Sequence, residues 1–331
     1  MIQIKHRLTD VIIGEFDVAT IKEAVELAVR RNIDLRGANL RDADLRKVNL
    51  HDIDLSGSSL YGANLIEANL DSADLSDANL YAANLSEANL CGADLSNANV
   101  SKANLVETKL SMADLSGANL NHADLRNANM YGVNLTEANM NYTNLSYANL
   151  QRANLSGAYL KGANLYCTIL RESKMRNATL KKANLHGADL GGANLYEANL
   201  DGANLRRANL HGAKFLRTIL GEANLQLFKT DYFDVLLRAQ NEVMGLRQML
   251  IEGKVDGSVY QGECACLTGT IANIRGCSYE ELGNGIKPES NRPVEQLFAL
   301  IKKGDTPTTN EVSQYAVEWI DEFLELVKAH K

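Results

Sequence analysis

Apolar and polar positions recur along most of this chain with a period of five, and the phase never slips for almost two hundred residues. Leucine holds 34 of the 39 consecutive positions 35, 40, 45 and so on to 225; the others are Val100, Met130, Met140, Met175 and Phe215. Two residues before each centre stands a small residue, Ala in 29 of the 39 pentads, and Asn or Asp usually lies between the two. A short period sustained this far marks a repeat architecture and has to be read before any local element. On an α-helix five residues advance about 500°, so successive leucines would step roughly 140° around the axis and define no face. In one straight strand they would alternate sides, because five is odd.

A short extended piece followed by a corner keeps every leucine on one side. Four corners close a square coil of about twenty residues, and stacked coils pair their backbones at about 4.8 Å. Leucine then fills the shaft, and Ala fits where the wall turns too sharply for anything larger. The corner chemistry agrees with this. Asn and Asp bond locally to the backbone, and Gly holds twelve of the 39 places two after a centre, where a positive φ costs it little. Proline is absent before Pro288, as a stack that needs each N–H for the next coil requires.

Runs such as Ala63-Asn64-Leu65-Ile66-Glu67 and Ala73-Asp74-Leu75-Ser76-Asp77 resemble the A(D/N)LXX signature of the pentapeptide repeat proteins, and the resemblance covers residues 33–227. It implies a β-solenoid: a right-handed, quadrilateral parallel β-helix, with the central and small residues inward and the other three outward. About ten coils would make a rod of about 47 Å. In that family, quinolone-resistance members that bind DNA gyrase are understood as mimics of DNA. Members acting on gyrase often carry loops between coils, and this chain has none between 33 and 227.

The ends are not repeats. Residues 1–32 read as an N-terminal cap of two short strands, Ile2–Arg7 and Val11–Phe16, and a helix over Ile21–Arg31 with Thr20 and Glu23 placed as a capping box. Residues 228–331 read as an α-helical C-terminal domain with helices over 231–251, 263–275, 293–303 and 310–329. In the best-known family members the C-terminal end of the solenoid makes the dimer contact, and a tail in that place argues against the same dimer here. Both flanks resemble those on pentapeptide repeat proteins carried by bacteria and their phages.

Net charge is −7, which disfavours binding nucleic acid directly through phosphate neutralisation. Nothing in the sequence reads as a leader or a membrane span, and five Cys without a secreted spacing suit a reducing compartment. The expectation is a cytoplasmic protein without membrane attachment. Cys264, Cys266 and Cys277 lack the fourth ligand and the spacing of a zinc site. The six His are scattered, and no nucleophile–base pair or phosphate loop appears. No catalytic residue, metal or cofactor is expected.

If positions twenty apart stack, sequence becomes surface. Asp34, Asp54, Asp74, Asp94 and Asp114 form one acidic row, and Glu67, Glu87 and Glu107 form a second on another face. Ser56, Ser76, Ser96, Ser116, Thr136 and Ser156 run beside the first row. Lys161, Arg171, Arg176, Lys181 and Lys182 make a candidate basic patch around the irregular pentads 166–180. Residues 56–120 carry two Lys or Arg against eight acids, and 126–220 carry twelve against five, so the rod is electrically polar along its length. Two readings follow. The first is a non-enzymatic scaffold that binds a protein partner. The second is a DNA-mimicking inhibitor or protector of a DNA-handling enzyme such as DNA gyrase or another topoisomerase, plausible as a phage weapon against host machinery.

Overall fold

A computed structural model describes residues 1–215, 217–257, 266–283, 285–286 and 292–329. Parallel bridges join each residue to the one twenty further on, four to a coil: Asn39 to Ser59, Asp44 to Asn64, Asn49 to Asn69 and Asp54 to Asp74. The same step runs without interruption to the pair Asn204–Asn224. The rod is therefore four-sided, with one pentad per side. Its sides are called A, B, C and D below; their outward positions in one coil are 139, 141 and 142 (A), 144, 146 and 147 (B), 149, 151 and 152 (C), and 154, 156 and 157 (D).

Each corner is a β-turn closed by the centre and the next small residue, as where the Ala63 N–H donates to the Leu60 carbonyl at 3.0 Å. Its third residue has positive φ, the mark of a type II turn. Glycine holds twelve of these places, and 25 non-glycine residues between Asp42 and Arg217 adopt φ of 52–62° at the same place. Three further bonds per pentad hold that strain: Leu65 N–H to Asn84 O at 2.7 Å, Glu67 N–H to Ser86 O at 3.1 Å and Asn84 N–H to Ala63 O at 2.9 Å. Neighbouring coils thus over-determine the corner.

The shaft is dry. Its leucines and alanines are almost fully buried from Leu35 to Leu225. Where Thr replaces Ala, the hydroxyl donates to a carbonyl in the coil below, as Thr108 does to Leu85 O and Thr168 to Leu145 O, both at 2.8 Å. The buried hydroxyls of Ser58 and Ser173, in the same slots, have no partner among the described residues.

At one end, β1 (Ile2–Lys5) and β2 (Ile12–Phe16) form an antiparallel hairpin. Past β1 the chain pairs with the first coil through Arg7 N–H to Gly37 O and Asn39 N–H to Lys5 O, which covers the open edge. Helix α1 (Ile21–Arg30) buries Ala24, Val25 and Ala28 against that coil. Thr20 caps it by accepting from Glu23 N–H, but the Glu23 carboxylate accepts from Ala19 N–H instead of Thr20, so the capping box is displaced by one residue.

The other end departs further from expectation. The helix expected over 231–251 is two: α2 (Gln226–Arg238) and α3 (Val243–Ile251). The break has no Pro or Gly. It lets Glu242 turn inward to grip Arg275 of α4 (Leu267–Arg275) at 2.9 and 3.0 Å. Residues 263–265 of the expected second helix lie outside the described residues. The expected helix 293–303 ends at Phe298, giving α5 (Pro293–Phe298). Beyond it the backbone instead bonds to the segment after α3, through Gly257 N–H to Ile301 O and Gly304 N–H to Gly253 O. Helix α6 (Glu311–Ala329) starts where expected, with the Asn310 side chain accepting from Ser313 N–H. Phe228 packs edge-on to Phe215 of the rod, and the Tyr315 hydroxyl donates to Gly221 O at 2.8 Å. These contacts fasten the helices to the last coils.

Candidate functional site

Asp54, Asp74, Asp94 and Asp114 stand in one column of side D, Asp54 paired to Asp74, Asp74 to Asp94 and Asp94 to Asp114 by parallel bridges. Each carboxylate is half committed to its own corner. Oδ1 of Asp74, Asp94 and Asp114 accepts the N–H of Ser76, Ser96 and Ser116 at 2.8–2.9 Å, and the Ser56 and Ser76 hydroxyls also donate to their Asp at 2.6 Å. Asp34 begins the row, but Arg36 clasps it through Nε at 2.9–3.0 Å and Nη2 at 2.5 Å and lies 3.9 Å from Asp54. That hydrogen bond from the Arg36 side chain holds the Asp34 carboxyl below its ordinary value. Among the described residues Asp74, Asp94 and Asp114 have no cation within 4 Å.

Glu67, Glu87 and Glu107 lie at exposed corners of side B with φ of 55–60°, and Lys47 pairs with Glu67 at 3.3 Å. The remaining outward columns explain the Asn bias. On side B, Asn144, Asn164, Asn184 and Asn204 form a ladder in which each upper Nδ2 donates to the Oδ1 below at 3.0–3.2 Å.

The five basic residues are not one patch. The coil register puts Lys161, Lys181 and Lys182 on side A, Arg176 on side D and Arg171 on side C, opposite A. Arg171 and Lys181 are drawn to Asp189 and Asp201 at 3.6 and 3.4 Å. The Arg176 guanidinium lies over the Tyr196 ring, 4.7 Å from its centroid.

What sequence reading passed over is a tyrosine cluster beside the side A lysines. Tyr142 and Tyr159 on side A and Tyr147 on side B are about half exposed. Tyr142 stacks on His122, while on side B Tyr147 meets Tyr166 edge-on and Tyr166 stacks on His186. These stacks position the rings of Tyr142, Tyr147 and Tyr166. The available signal was aromatic residues at outward positions that elsewhere hold Asn, Ser, Asp or Gly.

Among the described residues no group of His, Cys, Asp and Glu is arranged to hold a metal, and no helix is long and apolar enough to cross a membrane. Cys264 lies outside the described residues; Cys266 is buried, its thiol pushed up to about 12 by burial and by Glu295.

These features define a four-sided solenoid with a hairpin and helix at one end and helices at the other. The sequence profile of the pentapeptide repeats matches in eight copies that together span residues 33–226. The chain belongs to the pentapeptide repeat family, whose members fold as right-handed quadrilateral β-helices. Among solved structures, HetL of the cyanobacterium Nostoc sp. strain PCC 7120, involved in heterocyst differentiation regulation, is 36% identical. That match covers 55% of this chain and 84% of HetL with a TM-score of 0.51. A pentapeptide repeat protein of the Arabidopsis thaliana thylakoid lumen is 24% identical over 30% of this chain and 70% of its own, with a TM-score of 0.30. QnrB1, a plasmid-mediated fluoroquinolone resistance protein, is 17% identical over 55% of this chain and 90% of its own, with a TM-score of 0.28. No curated protein sequence matches the chain.

Proposed function

We propose that the protein is a non-enzymatic scaffold: a rigid rod that presents the tyrosines and lysines around the corner of sides A and B to a protein partner. One observation carries this reading. Three half-exposed tyrosines, Tyr142, Tyr159 and Tyr147, stand at neighbouring positions around one corner of the rod. Tyrosine is enriched at the anchoring points of protein interfaces, where a stiff aromatic gives contact area at little entropic cost. Lys161, Lys181 and Lys182 beside them favour an acidic partner. HetL, to which the rod is similar, has a regulatory role. The four described free cysteines suit the cytoplasm.

The test is capture of the partner from host lysate on the full chain, with Tyr142→Ala/Tyr159→Ala alongside. Loss of about tenfold or more in captured partner, with an unchanged melting curve, is the expected result. Undiminished capture would sink the reading.

The carboxylates of Asp74, Asp94 and Asp114, one per coil without a cation, favour a second reading as a DNA-like surface for a DNA-handling enzyme such as a topoisomerase. Their column turns to Asn and Lys halfway along the rod, which places this reading second. Replacing all three by Asn preserves every corner bond and removes three charges. Inhibition or protection of the enzyme disappears in that variant only if the second reading holds.

A further inference from the structure

We propose that side D is a self-association surface, on which two copies of the chain pair face to face with their rods antiparallel. Such a pair has its two-fold axis in the plane of contact and at right angles to both rods. Each column then meets the same column of the other copy in reversed order. Side D is written for that reversal. Its strand column from residue 54 to residue 214 reads Asp, Asp, Asp, Asp, Asn, Asn, Lys, Asn, Lys.

The register follows from the charges. With the axis midway between the levels of Asn134 and Asn154, Asp114 faces Lys174 of the second copy, Asp74 faces Lys214, and Asp94 faces Asn194. In the corner column of the same side, Asp77 meets Arg217, which already pairs with Glu197 of its own chain at 3.0 Å and is shared between the two carboxylates, while Glu137 and Asn177 meet the vacant corners at Gly157 and Gly117. Among the described residues Asp74, Asp94, Asp114, Lys174 and Lys214 have no ion-pair partner within their own chain. Between the two columns Ser76, Ser96, Ser116, Thr136 and Ser156 are small, and in this register Ser116 and Ser96 of one copy leave the space that Arg176 and Tyr196, in the same column, occupy from the other.

Neighbouring registers are worse. Sliding by one coil one way keeps two opposite-charge contacts, Asp54 with Lys214 and Asp94 with Lys174, but sets Asp77 against Glu197 and Glu137 against itself across the axis. Sliding the other way leaves one opposite-charge contact, Asp94 with Lys214, in place of three.

Seven coil spacings separate Asp74 from Lys214, a strip of about 34 Å by one side's width. Such a strip is smaller than standard stable interfaces, so the pair is weak and electrostatic. It therefore separates as salt screens the contacts. Sides A and B stay uncovered, and the pair displays two tyrosine corners instead of one.

Sedimentation of the full chain tests this. Near about 50 mM salt the expected mass is twice 36.2 kDa, and at about 500 mM it returns to 36.2 kDa. Asp114→Lys places two like-charge contacts across the axis and weakens the pair at least tenfold. Asp114→Lys with Lys174→Asp restores it to within a few-fold. Because this column already seats Lys at 174 and 214, the variants retain the fold, which their melting curves check. A chain of 36.2 kDa at low salt, a pair indifferent to Asp114→Lys, or a double variant that stays apart each overturns the proposal.

Discussion

At the scale of single residues, the shaft separates size from polarity. Thr in an alanine slot reaches a carbonyl in the coil below, whereas Ser173 does not and leaves a buried hydroxyl unpaired. Ser173→Ala removes that group without opening a cavity, so it raises stability by about 1 kcal/mol; chemical denaturation reads the gain. In the helical tail the buried Glu295 accepts Thr268 N–H with one oxygen and has no partner for the other. Burial raises its pKa above the ordinary 4.5. The folded state thus holds this proton more tightly than the unfolded one, and the contribution is complete below the unfolded value and lost as pH rises through the raised one. Glu295→Gln keeps an acceptor for Thr268, so its advantage over the parent chain grows from pH 4 towards pH 8. Thermal melts at both ends of that range measure the trend. The inward residues were readable at this scale because a strict period tells each where it points. Glu295 was not, since nothing in its local sequence announces burial.

At the scale of elements, legibility tracked the source of order. The pentads repeat their own instructions, so corners, phase and the unbroken run from Leu35 to Leu225 could all be inferred. The helices answer to contacts made far along the chain. Nothing near Ala239 says that α2 and α3 are separate; Glu242, at the start of α3, pairs with Arg275, 33 residues further on. That pair is largely shielded, with side-chain exposures of 22% and 9%, and Arg275 also donates to Leu282 O. Glu242→Ala leaves the guanidinium without its counter-charge at a cost of about 3 kcal/mol. The protein's single tryptophan, Trp319, lies in α6 against Tyr232. Its fluorescence follows the tail alone and its transition moves to lower temperature in this variant. Far-ultraviolet dichroism from the rod is expected to hold its midpoint.

At the scale of the whole molecule, a coil contacts only its two neighbours, so the rod tolerates whole-coil edits and rejects others. Deleting residues 134–153 removes one turn around the square and leaves every later side chain facing as before. The product is expected to be shorter by about 4.8 Å, with an unaltered tail transition. Deleting 149–153 instead rotates everything beyond it by a quarter turn. Side D then loses its charge inversion, and small-angle scattering with sedimentation distinguishes the two products. The basic residues teach the same lesson in reverse. Lys161 and Arg171 look adjacent in sequence but occupy opposite walls, and only the geometry of the square separates them.

The uninterrupted step of twenty has a bearing on descent. Near-identical stretches laid end to end invite unequal exchange when the coding strand is copied, and any exchange in step adds or removes complete storeys. Rods of graded height can then arise from one ancestor while each wall keeps its outlook, so reach becomes a trait that inheritance adjusts one storey at a time.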